Sequence, residues 1–211
     1  MRDRARFAAD LSEAALASRG DSDILLVGLT GMEGSGVHEL AQHFVQDLSL
    51  KGETPVIVTL RDFMWPEEEW LPEDPEKEAQ AYYSRAFGLE LLVTSVLEPL
   101  RAGESVDLEG NGLEGPWSIL VDPDDILVLC GPFLMRSEVR RFLDFLVHVD
   151  PSAKAAKARA AERGVPFELY MRRYLPAEHI YTATHPAVEY ADVIVDLAVP
   201  SSPSVLWKRG G

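Results

Sequence analysis

Residues Ile24 to His38 read ILLVGLTGMEGSGVH: an apolar run, then at once a glycine-rich turn, then the opening of an amphipathic helix. A continuous aliphatic stretch as short as Ile24–Val27 suits a strand buried on both faces, as in a parallel sheet. Gly31, Gly34 and Gly36 let the backbone curl until successive N–H groups point inward. A helix starting at that point aims the positive end of its dipole at the same spot. Strand, glycine turn and helix in this order constrain the chain to a layered α/β fold and mark the turn as an anion cradle. A tight strand-to-helix connection with no ligand is the plainer alternative.

With Gly31 and Gly36 in the glycine positions, the spacing is that of a phosphate-binding P-loop, GxxxxGK[ST]. Its last two positions depart from the motif. Val37 stands where a lysine reaches the β- and γ-phosphates, and His38 stands where a hydroxyl holds magnesium. Glu33 adds a carboxylate inside the turn, which repels a phosphate. The candidate nucleotide-binding residues are Gly31, Glu33, Gly34, Ser35, Gly36, Val37 and His38.

At 211 residues and 46% hydrophobic content, the chain can bury a substantial core and suits one domain over residues 1–199 with a small lid. A formal net charge of -15 argues against nucleic acid, whose phosphates reward basic surfaces. The lone cysteine, Cys130, cannot make an internal disulfide. Arg2, Asp3, Arg4 and Arg6 precede any apolar stretch, which is not the pattern of a secretory signal, and no apolar run reaches membrane-spanning length. A cytoplasmic protein with neither nucleic acid nor membrane as partner is expected, its oligomeric state, a homo-oligomer included, left open.

Along the chain, helical spacing of Phe7, Leu11, Ala14, Ala15 and Leu16 predicts an N-terminal helix within residues 1–20, ended by Gly20 and Asp21. After the turn, Val37, Leu40, Ala41, Phe44, Val45 and Leu48 mark one face of a helix stopping near Gly52. Pro55–Leu60 is the next strand and completes a βαβ unit. Arg61 to Met64, RDFM, stands at its carboxyl end, where open α/β sheets bind ligands. Residues 62–78 carry Pro66, Pro72, Pro75 and many carboxylates, and read as an exposed acidic loop without regular structure. Glu78–Arg101 is a helix with a break near Pro99, followed by a hairpin or irregular excursion over Gly103–Pro123. Ile126–Cys130, Phe145–Val149 and Val193–Leu197 are further strands. Two lid-type helices fill 151–184, the second interrupted near Pro176, and residues 200–211 form a flexible tail apart from a contact by Leu206 or Trp207.

Several pieces together resemble the uridine kinase-like branch of the P-loop kinases, related also to phosphoribulokinase and pantothenate kinase, from Ile24 to about Leu197. They are GMEGSG, TLRDF, YYSRAFGLELL with LRAGESV, DDILVLCG, FLDFLVHVD and YMRRYLPAEHIYTATHPAVEYADVIVDL. The resemblance implies an α/β P-loop NTPase fold, a five-stranded parallel sheet ordered 2-3-1-4-5, and an ancestral reaction in which ATP with Mg2+ phosphorylates a hydroxyl of a nucleoside or small metabolite. It also implies an aspartate base where Arg61 stands, a strand-end glutamate where Cys130 stands, and a sugar-holding acid near Tyr82 and Tyr83. Of the lid's basic element only Arg163 and Gly164 remain, followed by Val165.

A positioned general base contributes about 10² to 10⁴ in rate, and each charge-assisted contact to phosphate roughly 1.5 to 3 kcal/mol. Losing base, lysine, hydroxyl and carboxylate together therefore points to a degenerate site that binds a nucleotide or phosphorylated small molecule with weak or no phosphotransfer. An active kinase is the alternative, with Asp62 as base and Arg61 or Arg173 supplying positive charge; Tyr82, Tyr83 and Arg172 are then candidate substrate contacts. A fold-only interaction protein is a third reading. His38, Cys130 and Asp62 as metal ligands, or Cys130 with His38 as a nucleophile pair, have no spacing signature behind them. His43, His148, His179 and His185 are scattered and read as ordinary surface or core histidines.

Overall fold

The computed structural model describes residues 4–20, 24–112, 115–197, 199 and 203–209. Asp21, expected at the end of the first helix, lies outside the described residues. Eight strands form: β1 (Leu25–Gly31), β2 (Pro55–Thr59), β3 (Val106–Gly112), β4 (Gly115–Val121), β5 (Ile126–Gly131), β6 (Phe145–Val149), β7 (Val193–Asp196) and β8 (Ser204–Lys208). The main sheet is six-stranded, ordered β2-β5-β1-β6-β7-β8. Its first five members are parallel, and with the separate β3–β4 hairpin set aside they run in the expected order 2-3-1-4-5.

Alternation along the buried strands divides the apolar residues into two cores. Leu26, Leu127, Leu129, Leu146 and Ile194 point to one face, where they meet Leu60, Phe63, Trp70, Tyr82 and Tyr181. Leu25, Val27, Leu29, Val128, Cys130 and Val147 point to the other, where α1 (Arg4–Ala17) and α2 (Val37–Leu50) cover them with Phe7, Leu11, Phe44 and Leu48. Carboxylates just before two strands lock the register. Asp144 accepts the Leu26 N–H at 2.8 Å and Asp192 accepts the Leu146 N–H at 2.9 Å, each also paired with an arginine, Arg101 and Arg140.

The break expected near Pro99 takes the form of a wide helical turn over Val93–Leu97, and an equivalent one over Tyr170–Tyr174 precedes Pro176. Proline lacks an N–H and crowds the carbonyl a turn before it, and a π-type turn accommodates that crowding. Two expectations need correction. The acidic stretch is not without regular structure: Glu67–Trp70 and Pro75–Lys77 form short helical turns, because Trp70 is buried and donates its Nε1–H to the Trp65 carbonyl at 3.1 Å. The tail is not frayed throughout either. Ser204–Lys208 pairs antiparallel with β7, with Ile194 opposite Trp207, whose ring packs on the first core. Leu206 stays exposed. No helix of the described residues is long and apolar enough to cross a membrane.

His148 lies in β6 with its Nδ1 buried and unpartnered, and burial pushes its pKa down to about 4. The unfolded chain therefore binds a proton at His148 between about pH 6.5 and 4 that the folded chain refuses, and this residue's contribution to stability falls as pH drops through that window. Glu178, raised to about 8 by burial and by Asp150, acts in the opposite sense, so the parent profile alone is a composite. The difference is clean: His148→Leu should gain stability relative to the parent as pH is lowered from 7 to 4.5, read from paired urea unfolding curves. A constant difference across that range would show that His148 titrates in the fold as it does in the unfolded chain.

Candidate functional site

At the end of β1 the chain enters the glycine turn, and two of its residues require the backbone freedom of glycine. Gly34 has φ +78° and Gly36 φ +90°, and a β-carbon on Gly34 would stand 2.1 Å from the Ala156 carbonyl oxygen. The turn is thus packed directly against the helix Ala153–Glu162. Arg159 on that helix donates to the Ser35 carbonyl at 2.6 Å and to the Leu197 carbonyl, clamping the turn from outside. The Ser35 N–H is taken by the Met32 carbonyl at 2.9 Å, and Val37 N–H by Ser35 Oγ at 3.3 Å. Among the described residues the N–H groups of Gly34 and Gly36 have no such acceptor, which is the arrangement an anion-binding nest needs.

A cavity of about 100 Å³ opens over the turn, with residues 31–38 as its floor. Its walls carry Arg61 from the end of β2, Arg163 from the end of the helix Ala153–Glu162, and Arg173 from the wide turn before Pro176. Every one of these guanidinium groups already holds a carboxylate. Arg61 donates to Glu33 at 2.6 Å; Arg163 donates to Glu39 and approaches Glu33 at 3.9 Å. Arg173, buried over the Trp70 ring, binds Glu67 at 2.6 Å and Glu78 at 2.5 Å. The cavity is cationic in composition but internally neutralised.

Several solved structures share this architecture. A protein described as a possible uridine kinase from Bacillus stearothermophilus superposes with a TM-score of 0.70 at 24% identity, over 90% of this chain and 97% of that one. The fold is that of the P-loop kinases. A protein provisionally described as a fructose transport system kinase, from Silicibacter sp. TM1040, aligns at TM-score 0.64 and 19% identity over 83% of this chain and 94% of its own. A P-loop-containing, circularly permuted protein of Saccharomyces cerevisiae aligns at TM-score 0.56 and 12% identity, over 78% and 87% of the two chains. At such identities the likeness is one of fold. No protein-family model matches the chain, and no curated protein matches it either.

Within the P-loop kinase fold the expected residues separate into three sets. Residues 31–38, Arg61, Arg173 and Tyr82 all line the cavity. Tyr82 does so as part of the core: its ring lies 5.2 to 5.7 Å from those of Trp70, Phe87, Phe133 and Tyr174, and burial raises its hydroxyl far above the usual range. Arg172 and Tyr83 do not line this cavity. Arg172 binds Glu78 at the surface, and Tyr83 packs on Phe133 and Tyr181 beneath Arg136. Asp62 is turned away from a base's position. Its carboxylate accepts the Thr59 N–H at 3.2 Å, closing a capping box on the single 3₁₀ turn Leu60–Phe63.

The His38–Cys130 pair offers neither a hydroxyl ligand for magnesium nor a thiolate nucleophile. His38 Nδ1 lies 3.3 Å from Cys130 Sγ, so the side chain at the hydroxyl position is engaged with the one at the strand-end carboxylate position. Burial, reinforced by Arg61, lowers the His38 pKa, while burial pushes the Cys130 thiol up to about 12. The pair is a neutral imidazole against a neutral thiol. Among the described residues no group of three His, Cys, Asp or Glu could hold a metal ion, so His38, Cys130 and Asp62 do not form the metal cluster entertained from sequence.

Glu67, Glu78 and Arg159 are the residues that sequence reasoning missed. Glu67 and Glu78 sit in a run of carboxylates that reads as solvated, and nothing in their spacing reveals arginines 106 and 95 positions away. Burial would raise the Glu78 carboxyl, but hydrogen bonds from Arg172 and Arg173 outweigh it and hold the pKa below its ordinary value. A carboxyl depressed in this way contributes stability above the unfolded pKa, near 4.5, and loses it as pH falls through the folded one. Glu78→Gln should therefore cost about 1–3 kcal/mol at pH 7, because it removes one of the two carboxylates that the buried Arg173 holds and the one that Arg172 holds, and the cost should shrink toward pH 3. Urea denaturation at the two pH values checks both halves, and an equal cost at both would contradict the ion-pair account.

Proposed function

We propose that the chain is a small-molecule binding protein on a kinase fold. It seats the phosphate of a nucleotide or other phosphorylated small molecule on its glycine turn, with weak or no phosphotransfer. The observation that carries this reading is the combination at one cavity of two glycine N–H groups without an acceptor among the described residues, three flanking arginines, and an Asp62 carboxylate engaged with the Thr59 N–H. Backbone N–H groups and guanidinium forks bind phosphate without a metal or a lysine. Phosphoryl transfer asks for more: a cation bridging the phosphates and a residue orienting the nucleophile. Val37, the His38–Cys130 pair and Arg61 stand where those would be, and Asp62 is engaged in capping its own turn. The setting is cytoplasmic in this reading, with neither nucleic acid nor membrane as partner, in keeping with a net charge of -15.

Thermal-shift titration with phosphate, nucleoside monophosphates and ATP, with and without Mg2+, tests the binding half. A ligand present at 100 times its Kd adds about 2.7 kcal/mol of stability, a shift of several degrees. The expected result is a magnesium-independent rise with small phosphate compounds, alongside no ADP release above background on a nucleoside panel. ADP release abolished by Asp62→Asn would establish an active kinase instead. Silence toward every phosphate compound would leave a fold-only interaction protein.

A further inference from the structure

We propose that Glu33 is a built-in anion which a phosphate-bearing ligand displaces, and that its displacement joins two neighbouring cavities into one site for a phosphomonoester. The proposal rests on the phosphate-binding reading above and names the ligand class for it. Beside the cavity of about 100 Å³ over the turn lies a second of about 540 Å³, between α2 and β2. Four residues line both and so form the partition: Glu33, His38, Arg61 and Arg163. Two of them are tied together at 2.6 Å, Arg61 from the end of β2 and Glu33 from the turn, and Arg163 stands on the other side of the same carboxylate at 3.9 Å.

The Glu33 side chain is only 10% exposed, whereas those of Arg61 and Arg163 are 38% and 36% exposed. The carboxylate is held in and the two guanidinium groups reach it from the rim. That is the contact a planar guanidinium makes equally with carboxylate or phosphate. A phosphomonoester at pH 7 carries between one and two charges and has three acceptor oxygens. It can therefore satisfy both arginines and the Gly34 and Gly36 N–H groups together, where one carboxylate on a short tether bridges only the arginines. With Glu33 swung out, the partition loses its central member.

The second cavity sets what the phosphate is attached to. Its volume lies in the range of sites for small organic ligands. Ala41, Ile57 and Val165 give it apolar walls, while Gln42 and Thr59 offer hydrogen-bonding groups. A single phosphate followed by a compact body with hydroxyl or ring-nitrogen groups suits this shape. A chain of three phosphates ahead of the body does not, since the partition stands directly beside the turn.

Isothermal titration with inorganic phosphate and with ribose 5-phosphate, on the parent chain, E33Q and Q42W, tests both halves. E33Q should bind either probe about tenfold more tightly or better, the equivalent of one charge-assisted contact no longer competed for. Q42W, at an exposed position of α2, should leave inorganic phosphate unchanged and weaken ribose 5-phosphate about tenfold by filling the second cavity. Phosphate binding of equal strength in the parent and E33Q would overturn the displacement proposal while leaving the phosphate site standing. Q42W weakening both probes alike, or neither, would overturn the second cavity as the seat of the ligand's body. Binding of neither probe to the parent or to E33Q would overturn this proposal and the phosphate-binding reading together. If E33Q does not fold, E33D supplies the same test: its carboxylate is one methylene short of Arg61, and it too should bind phosphate more tightly than the parent.

Discussion

The close approach of Gly34 to the helix Ala153–Glu162 is the constraint from which the site follows. With a carbonyl oxygen of that helix where a β-carbon would be, the turn has one residue type available at that position and one place to sit. The same contact sets the end of the helix, and with it Arg163, beside the turn's own Glu33. Arg159 closes the arrangement by bonding the Ser35 carbonyl. The cavity's dimensions and the neutrality of its walls are consequences of that docking.

The charge pattern is unusual for the anion site proposed above. Anion sites are ordinarily assembled with positive potential to spare, so that the ligand completes the electrostatics. Here Glu33, Glu39, Glu67 and Glu78 complete them in advance. Buried guanidinium groups are costly without partners, so a chain that keeps Arg173 buried must supply carboxylates from its own sequence. On the proposed reading, binding is then an exchange of anions, which makes selectivity for ligand charge steeper than in an open cradle.

How much of this is legible in the amino-acid sequence depends on the range of the interaction. The strands β1, β5 and β6 and the helices α1 and α2 are written in local apolar periodicity, and their boundaries fall within a few residues of expectation. The glycine turn is equally local, because glycine is the residue type that takes positive φ without strain. The wide turns before Pro99 and Pro176 follow from proline chemistry, though their π-type geometry does not. What was hidden is the pairing of distant charges: Glu78 with Arg172 and Arg173, Glu67 with Arg173, and Glu33 with Arg61. A carboxylate run looks the same whether water or a guanidinium faces it. Strand β8 was hidden for a related reason, since Ser/Pro-rich flanks mask a five-residue segment whose partner, β7, is itself short.

That last strand alters the character of one side of the molecule. By lying antiparallel along β7 it occupies the outward row of amide and carbonyl groups that a parallel sheet would otherwise present to solvent. Bare margins of this kind invite a neighbouring chain to zip on. The stretch from Ser204 to Lys208 thus serves as a selvedge, the woven border that keeps a fabric from unravelling or catching on the next, and it leaves β2 as the margin of the main sheet without a further strand beyond it among the described residues.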